Sequence, residues 1–247
     1  KIISVLIAVH VFGNPADLEK LVSICKKRNI KVLEDASESL GSFYSKGRFK
    51  GKHTGTVGDL GCISFNINKV ITTGGGGMIL CKSKKMTKKI KYLVNQAKDD
   101  KINFIHNDVG YNFGLSNINA AIGYAQLKNL NKILKLKKNL HLLYRNYFSE
   151  KTKFSIIEKP NYSVPNYWLN IVDLKSRKQK INFLKTLLKY NIEARPVWKC
   201  NHLQKPYLNC ETFKITNALK IVDNYLCLPS SYFLKKKHLK KIFKIFK

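Results

Sequence analysis

Residues 64–77, SFNINKVITTGGGG, constrain this chain more than any other stretch. They hold a hydroxyl at the start, a lysine in the middle and four consecutive glycines at the end. The flanking apolar runs, residues 61–65 and 78–81, read as buried strands. A run of glycines lets the backbone take positive φ and pass close to a bound group with no Cβ in the way. Lysine is abundant in this sequence, so the glycine run is what sets Lys69 apart. The stretch reads as a turn between two strands that shapes a site.

The surrounding chain supplies a sheet for that turn. Residues 3–9 read as a buried strand. Residues 15–28 read as a helix with Asn14 as N-cap, Pro15 at its first position, and Leu18, Leu21, Val22 and Cys25 on one face. Residues 30–33 form a second strand ending in Glu34 and Asp35. Strand, helix, strand is the pattern of a mostly parallel sheet, and carboxylates just past a strand's C-terminal end lie where such sheets bind ligands. Residues 42–59 read as a loop, 85–97 as a helix, 99–112 as a polar connection, and 116–148 as one long helix or a broken pair. Beyond Glu150 the elements shorten, with strands near 154–157, 168–172 and 192–195 and helices near 178–190, 212–221 and 235–246. The expected fold is α/β, with a large domain over residues 1–149 that ends in a long connecting helix and a small α+β domain over 150–247.

The formal charge of +31 is carried almost wholly by lysine and is spread along the chain among many Asn and Ile residues. That texture resembles AT-rich codon usage; a nucleic-acid surface would cluster its charge and favour arginine. Nucleic acid is therefore not an expected partner. The six cysteines show no CxxC spacing and read as free thiols of a reducing compartment. Cys200, His202 and Cys210 lack a second ligand-bearing arm, so no metal site is expected. The N-terminal apolar run is far shorter than the roughly 20 residues a bilayer requires, and the chain is expected to be cytoplasmic with no membrane partner. The lysine-rich C-terminal helix reads as a solvated face, with a basic membrane-surface helix as the other reading.

Asp35, Ser64 and Lys69 gain meaning when taken together. Alone, they would read as a turn carboxylate, a core hydroxyl and a surface lysine. On neighbouring strands, an aspartate can keep a pyridinium nitrogen protonated, a hydroxyl before a turn can bind phosphate, and a lysine can form a Schiff base with an aldehyde. Those are the three needs of pyridoxal phosphate.

Four segments then carry a resemblance that extends over essentially the whole chain: residues 9–21 (VHVFGNPADLEKL), 34–44 (EDASESLGSFY), 58–79 (GDLGCISFNINKVITTGGGGMI) and 110–127 (GYNFGLSNINAAIGYAQL). In this order they resemble the DegT/DnrJ/EryC1/StrS family of pyridoxal-phosphate-dependent nucleotide-sugar aminotransferases. EDASES, GKHTGT, the four glycines and NQAKDD resemble the branch that makes 4-amino sugars for bacillosamine and legionaminic acid.

The resemblance implies fold type I, the aspartate-aminotransferase-like fold, with only part of the large domain present. It implies that Lys69 bonds to the cofactor and moves the proton, that Asp35 pairs with the pyridinium nitrogen, and that Ala36 lies beside it in the cofactor pocket. Glu38 would sit against the phenolic oxygen and Ser64 would bind the phosphate. Asn112 would reach the phosphate of a neighbouring subunit, which implies a homodimer with shared sites. Arg195, Trp198 and His202 would face the substrate. The implied reaction moves an amino group from glutamate to a nucleotide-linked 4-keto-6-deoxy sugar, of the UDP-2-acetamido type, for surface-glycan amino sugars. A GDP-perosamine-type enzyme and a degenerate, non-catalytic member are the alternatives.

Three departures stand out. Gly114 occupies a position where the family usually has arginine, and the loop at residues 45–52 is longer than usual. The family's N-terminal portion, with a Gly-Thr-rich turn and a ring-stacking aromatic, has no counterpart in a sequence that opens at Lys1. An N-terminal part is thus expected to be missing, and the segment by itself is expected to hold the cofactor weakly or not at all.

Overall fold

Strand and helix alternate from the start of the computed structural model, which describes residues 3–100 and 102–247. Lys1 and Ile2, at the head of the first apolar run, and Lys101, inside the 99–112 connection, lie outside the described residues. The elements run β1 (Val5–Val9), α1 (Glu19–Lys27), β2 (Lys31–Asp35), β3 (Phe43–Tyr44), β4 (Leu60–Ser64), β5 (Gly77–Cys81), α2 (Lys84–Val94), β6 (Lys98–Asp100), β7 (Ile105–His106), α3 (Asn117–Lys128) and α4 (Leu130–Lys151). They continue as β8 (Ser155–Ile156), β9 (Ser163–Val164), β10 (Asn170–Asp173), α5 (Arg177–Lys189), β11 (Arg195–Pro196), α6 (Thr216–Asn224), β12 (Tyr225–Leu228) and α7 (Lys236–Ile245).

Two compact units emerge. The first holds the chain up to Leu134 together with Lys159–Trp168, and the second holds Lys135–Glu158 with Leu169–Lys247. The division runs inside α4, earlier than residue 149, because Leu140, Tyr144 and Phe148 of that helix join the second unit's core. The helical run does break in two, at Asn129.

In the first unit the sheet order is β1-β2-β4-β5. β1 pairs with β2 and β2 with β4 in parallel, while β5 returns antiparallel to β4. The mostly parallel sheet expected from the sequence is present. Gly61 shows how tightly its loops approach it: a Cβ there would lie 2.0 Å from the Gly55 carbonyl oxygen.

Several local readings are corrected. β1 is not a buried strand: Ala8 is covered, but Val5, Ile7 and Val9 are 48, 63 and 42% exposed at the sheet's edge. β5, at the other edge, exposes Met78 and Ile79 as well. Glu34 and Asp35 are the last two residues of β2, within the strand and not beyond it. The helix expected from Pro15 starts at Glu19, and the Ala16 N–H ahead of it donates to His10 Nδ1 at 3.0 Å. The 42–59 loop contains β3, which pairs antiparallel with β9 and so brings residues 163–164 onto the first unit.

The second unit is an antiparallel sheet, β11-β12-β10-β8, with Val172, Leu226 and Leu228 buried against Tyr144, Leu187 and Ile242 from the helices. α7 spends its apolar face in this core through Leu239 and Ile242, which removes the membrane-surface reading of the tail. No helix among the described residues is long and apolar enough to cross a membrane.

Candidate active site

Parallel strands end together, so the last residues of β2 and β4 come side by side. Asp35 is in register with Val9 on one side and Cys62 on the other, and Ser64 closes β4 one turn of pleat further on. Both lie at the C-terminal edge, the position at which open parallel sheets bind ligands. Ala36, fully buried, donates its N–H to the Cys62 carbonyl at 2.9 Å and fixes the exit of β2.

Neighbouring residues of a strand point to opposite faces, so Glu34 and Asp35 have different fates. The Glu34 side chain is fully buried and accepts N–H groups from Gly55, Val57 and Gly58 at 2.8, 2.7 and 2.6 Å. His10 adds a fourth contact, Nε2 to Glu34 Oε2 at 2.9 Å. Because His10 Nδ1 accepts from Ala16, Nε2 is the nitrogen that carries the hydrogen. Burial pushes this carboxyl up, but the hydrogen bonds from His10, Gly58 and Gly55 outweigh it and hold the group below its usual range. Asp35 is thereby seated on a strand whose preceding residue is clamped from two loops.

Glu38 approaches from the loop after β2. Its Oε2 accepts the N–H of Phe12 at 2.6 Å, and Phe12 has φ +58°, a left-handed conformation that bulky residues rarely adopt. Burial raises the Glu38 carboxyl above its usual range; the Phe12 N–H and the Lys69 charge oppose that, and Asp35 adds to it. Lys69 is half-buried and its amine is pulled below the usual range by burial, with Glu38 and Asp35 acting in the opposite direction. Lysine, aspartate and glutamate therefore share one electrostatic neighbourhood.

The loop between β4 and β5 is held in shape by its own hydroxyls and by α3. Thr72 Oγ1 donates to the Phe65 carbonyl at 2.9 Å, and Gly74 and Gly76 take φ of +82° and +100° to let the chain double back. Gln126 grips the Thr72 backbone from both ends, accepting its N–H at 3.0 Å and donating to its carbonyl at 2.9 Å. Asn119, one heptad earlier on α3, donates to the Thr73 carbonyl. Two polar residues seven apart on a helix of apolar spacing are the signal the sequence carries for this grip.

A second set of contacts had no such signal. Asn166 and Trp168 arrive with the 159–168 segment, and Asn166 Nδ2 donates to the carbonyls of Glu38 and Leu40 at 2.8 and 2.9 Å. The Trp168 indole lies against Lys69, whose Nζ is 4.3 Å from the ring centroid.

Other expected site residues are carried by other elements. Asn112 is exposed, in a backbone bridge with Asn95, and Gly114 is exposed nearby. Arg195, Trp198 and His202 belong to the second unit. Arg195 is exposed and bonds Glu193 through Nε at 3.0 Å, Trp198 is 51% exposed, and His202 lies in a short 3-10 turn, Asn201–Leu203. Among the described residues no group of three or more His, Cys, Asp or Glu side chains is placed to hold a metal ion.

The chain is 36% identical over 229 residues to EpsN of Bacillus subtilis (strain 168), covering 91% of this chain and 58% of EpsN. It is 33% identical over 231 residues to the dTDP-4-amino-4,6-dideoxy-D-glucose transaminase of Shigella dysenteriae, covering 91% of this chain and 60% of that enzyme. The chain thus spans less than two thirds of the length of these relatives. Its fold matches the structure of Helicobacter pylori PseC, an aminotransferase of pseudaminic acid biosynthesis, with a TM-score of 0.88 at 23% identity over 98% of this chain and 67% of that one. Residues 3–247 match the DegT/DnrJ/EryC1/StrS aminotransferase family, and the chain belongs to that family of pyridoxal-phosphate enzymes.

Proposed function

We propose that this chain carries the Schiff-base lysine and part of the cofactor pocket of an aminotransferase that moves an amino group from glutamate to the keto carbon of a nucleotide-linked 4-keto-6-deoxy sugar. The observation that carries this reading is the donor set at the sheet edge: the Lys69 amine in the field of Asp35 and Glu38, one loop away from the Ser64 hydroxyl. An amine, a carboxylate and a hydroxyl are the partners that the aldehyde, ring nitrogen and phosphate of pyridoxal phosphate require, so the residues present fit the group. When bound, that group supplies an aldehyde to accept nitrogen and a cationic ring to draw electrons from the adjacent carbon.

The chain's own residues have distinct tasks. Lys69 would hold the group through its aldehyde and, when free, would carry a proton between neighbouring carbons. Asp35 would hold the ring nitrogen protonated. Ser64 would donate a hydrogen bond to the phosphate, Ala36 would wall the pocket beside Asp35, and Glu38 would lie against the phenolic oxygen. In the complete reaction the sugar carbonyl becomes an amine and glutamate becomes 2-oxoglutarate, with no outside oxidant or reductant.

The UDP-linked 2-acetamido sugar is the substrate form favoured by the sequence motifs. Arg195, Trp198 and His202 are assigned to its recognition. The exposure of Asn112 suits a contact with a second subunit, which supports a homodimer with shared sites, and the small soluble substrates suit a cytoplasmic enzyme.

The test is irreversible trapping. The protein is incubated with millimolar pyridoxal phosphate and cyanoborohydride, so that label accumulates even at low occupancy, and is then digested and mapped. Label on Lys69, lost in Lys69→Ala, is the expected result. Label spread over surface lysines in proportion to exposure would sink the reading. UDP-, dTDP- and GDP-linked 4-keto sugars then define the nucleotide by amine formation.

A further inference from the structure

Trp168 is 4% exposed and fastened on two sides. Its indole Nε1–H donates to the Asn68 carbonyl at 2.7 Å, and its backbone N–H donates to Asn166 Oδ1 at 2.9 Å. Asn68 is the residue before Lys69, and Asn166 also holds the Glu38 carbonyl at 2.8 Å. The frame that fixes the indole therefore fixes both the root of the lysine and the backbone of the glutamate. Lys69 Nζ rests 4.3 Å from the ring centroid, inside the roughly 6 Å at which the negative π face attracts a cation.

We propose that Trp168 is a positioning residue for Lys69, catching the free ammonium on its π face whenever the lysine is not bonded to the cofactor. This rests on the transaminase reading. A lysine that alternates between a bonded and a free form has four flexible carbons, and on release it would otherwise sample many rotamers. The indole gives the free amine one resting place, beside the carboxylates of Glu38 and Asp35, from which proton return is directed to one side. The attraction is to the cation and largely vanishes for the neutral amine, so Trp168 counteracts the effect of burial on the Lys69 proton. The titratable groups acting on the amine are Glu38 and Asp35, and both favour the cation as the indole does.

The experiment measures the Lys69 amine without cofactor, by competitive acetylation across pH with mass spectrometry of the Lys69 peptide. Trp168→Phe and Trp168→Leu both remove the bond to Asn68, and they differ in keeping or losing a π face. The Lys69 midpoint is expected to fall by about 0.5–1.5 pH units in Trp168→Leu, with part of the shift recovered in Trp168→Phe. Equal midpoints in the two variants would overturn the proposal, since hydrophobic cover alone would then explain the contact.

Should either variant fail to fold, fluorinated tryptophans incorporated in a Trp198→Phe background drain the ring's charge at nearly constant shape. A midpoint that falls with each added fluorine supports the proposal, and a constant midpoint overturns it. Cofactor trapping separates this inference from the one beneath it. Label on Lys69 with no midpoint shift removes the role of Trp168 and keeps the transaminase reading. A graded shift with label spread over the surface lysines in proportion to exposure keeps the indole contact and retires the transaminase reading.

Discussion

The two units each contain a four-stranded sheet and hold it by different means. In the second, strands β10 and β12 are covered by hydrocarbon: Val172 and Leu226 are fully buried, and Tyr147 stacks on Phe243 with centroids 3.9 Å apart. In the first, the edge strands leave large apolar side chains in solvent, while the fully buried positions mix Leu18 and Ala36 with a polar set, His10, Glu34, Ser39, Ser42 and Thr54, all at 0% exposure. Hydrocarbon burial is tolerant of shape and indifferent to direction, whereas buried hydrogen bonds fail when one partner moves. The first unit therefore holds its strand ends at defined angles, which suits a site, and the second holds its layers together, which suits a support.

The largest expected effect comes from breaking the polar centre. Glu34→Ala strips His10 and the N–H groups of Gly55, Val57 and Gly58 of their shared acceptor and should cost about 3–5 kcal/mol. Native-state hydrogen exchange should show the loss at β2 and β4 with the β10 and β12 amides unchanged. Equal loss in both sheets would break the contrast between the units.

Next comes a buried amine on a helix of the hydrocarbon unit. Lys137 donates to the Ser230 carbonyl at 2.8 Å, and burial pushes its amine down to about 8. The unfolded chain, with the ordinary value of 10.5, binds this proton more tightly, so stability rises with pH between about 8 and 10.5. The full rise is about 3 kcal/mol. Urea midpoints taken from pH 7.5 to 9.5 should climb more steeply in the wild type than in Lys137→Met, where the lowered amines of Lys69 and Lys180 remain. The window stops short of pH 10 because Tyr44 and Tyr144, whose hydroxyls are raised by burial, act in the opposite direction above it. A flat wild-type profile would mean that water reaches Lys137.

The smallest effect belongs to the two exposed edges. Ile7 is 63% exposed and Met78 52% exposed, so Ile7→Thr and Met78→Thr should each cost no more than about 0.5 kcal/mol. A larger loss that grows on dilution would show that a second surface covers that edge, and would move the first unit closer to the second in kind.

What could be read in the sequence divides along the same line. Asp35, Ser64 and Lys69 were legible because chemistry, order and a glycine run coincide within a short stretch. The mostly parallel sheet followed from strand, helix, strand. β1 misled, since Ile7 carries the pattern of a buried residue whether or not anything packs against it; it is 63% exposed. Asn166 and Trp168 were out of reach for a different reason. They lie about a hundred residues from the lysine they serve, and the hydrogen bonds that bring them back involve backbone carbonyls, which every residue has. β3 was hidden in the same way, because its partner β9 lies far along the chain.

The close approach at Gly61 bears on how this sequence drifts. Lysine, asparagine and isoleucine are encoded largely by adenine and thymine, and a genome under that mutational pressure steadily erodes codons that open with two guanines, as those of glycine do. With the Gly55 carbonyl 2.0 Å from where a Cβ would stand, every such change at position 61 yields a chain whose β4 cannot close against its loop. Nucleotide bias can write lysine over most of this surface, and at Gly61 it meets a position where any side chain at all is counter-selected.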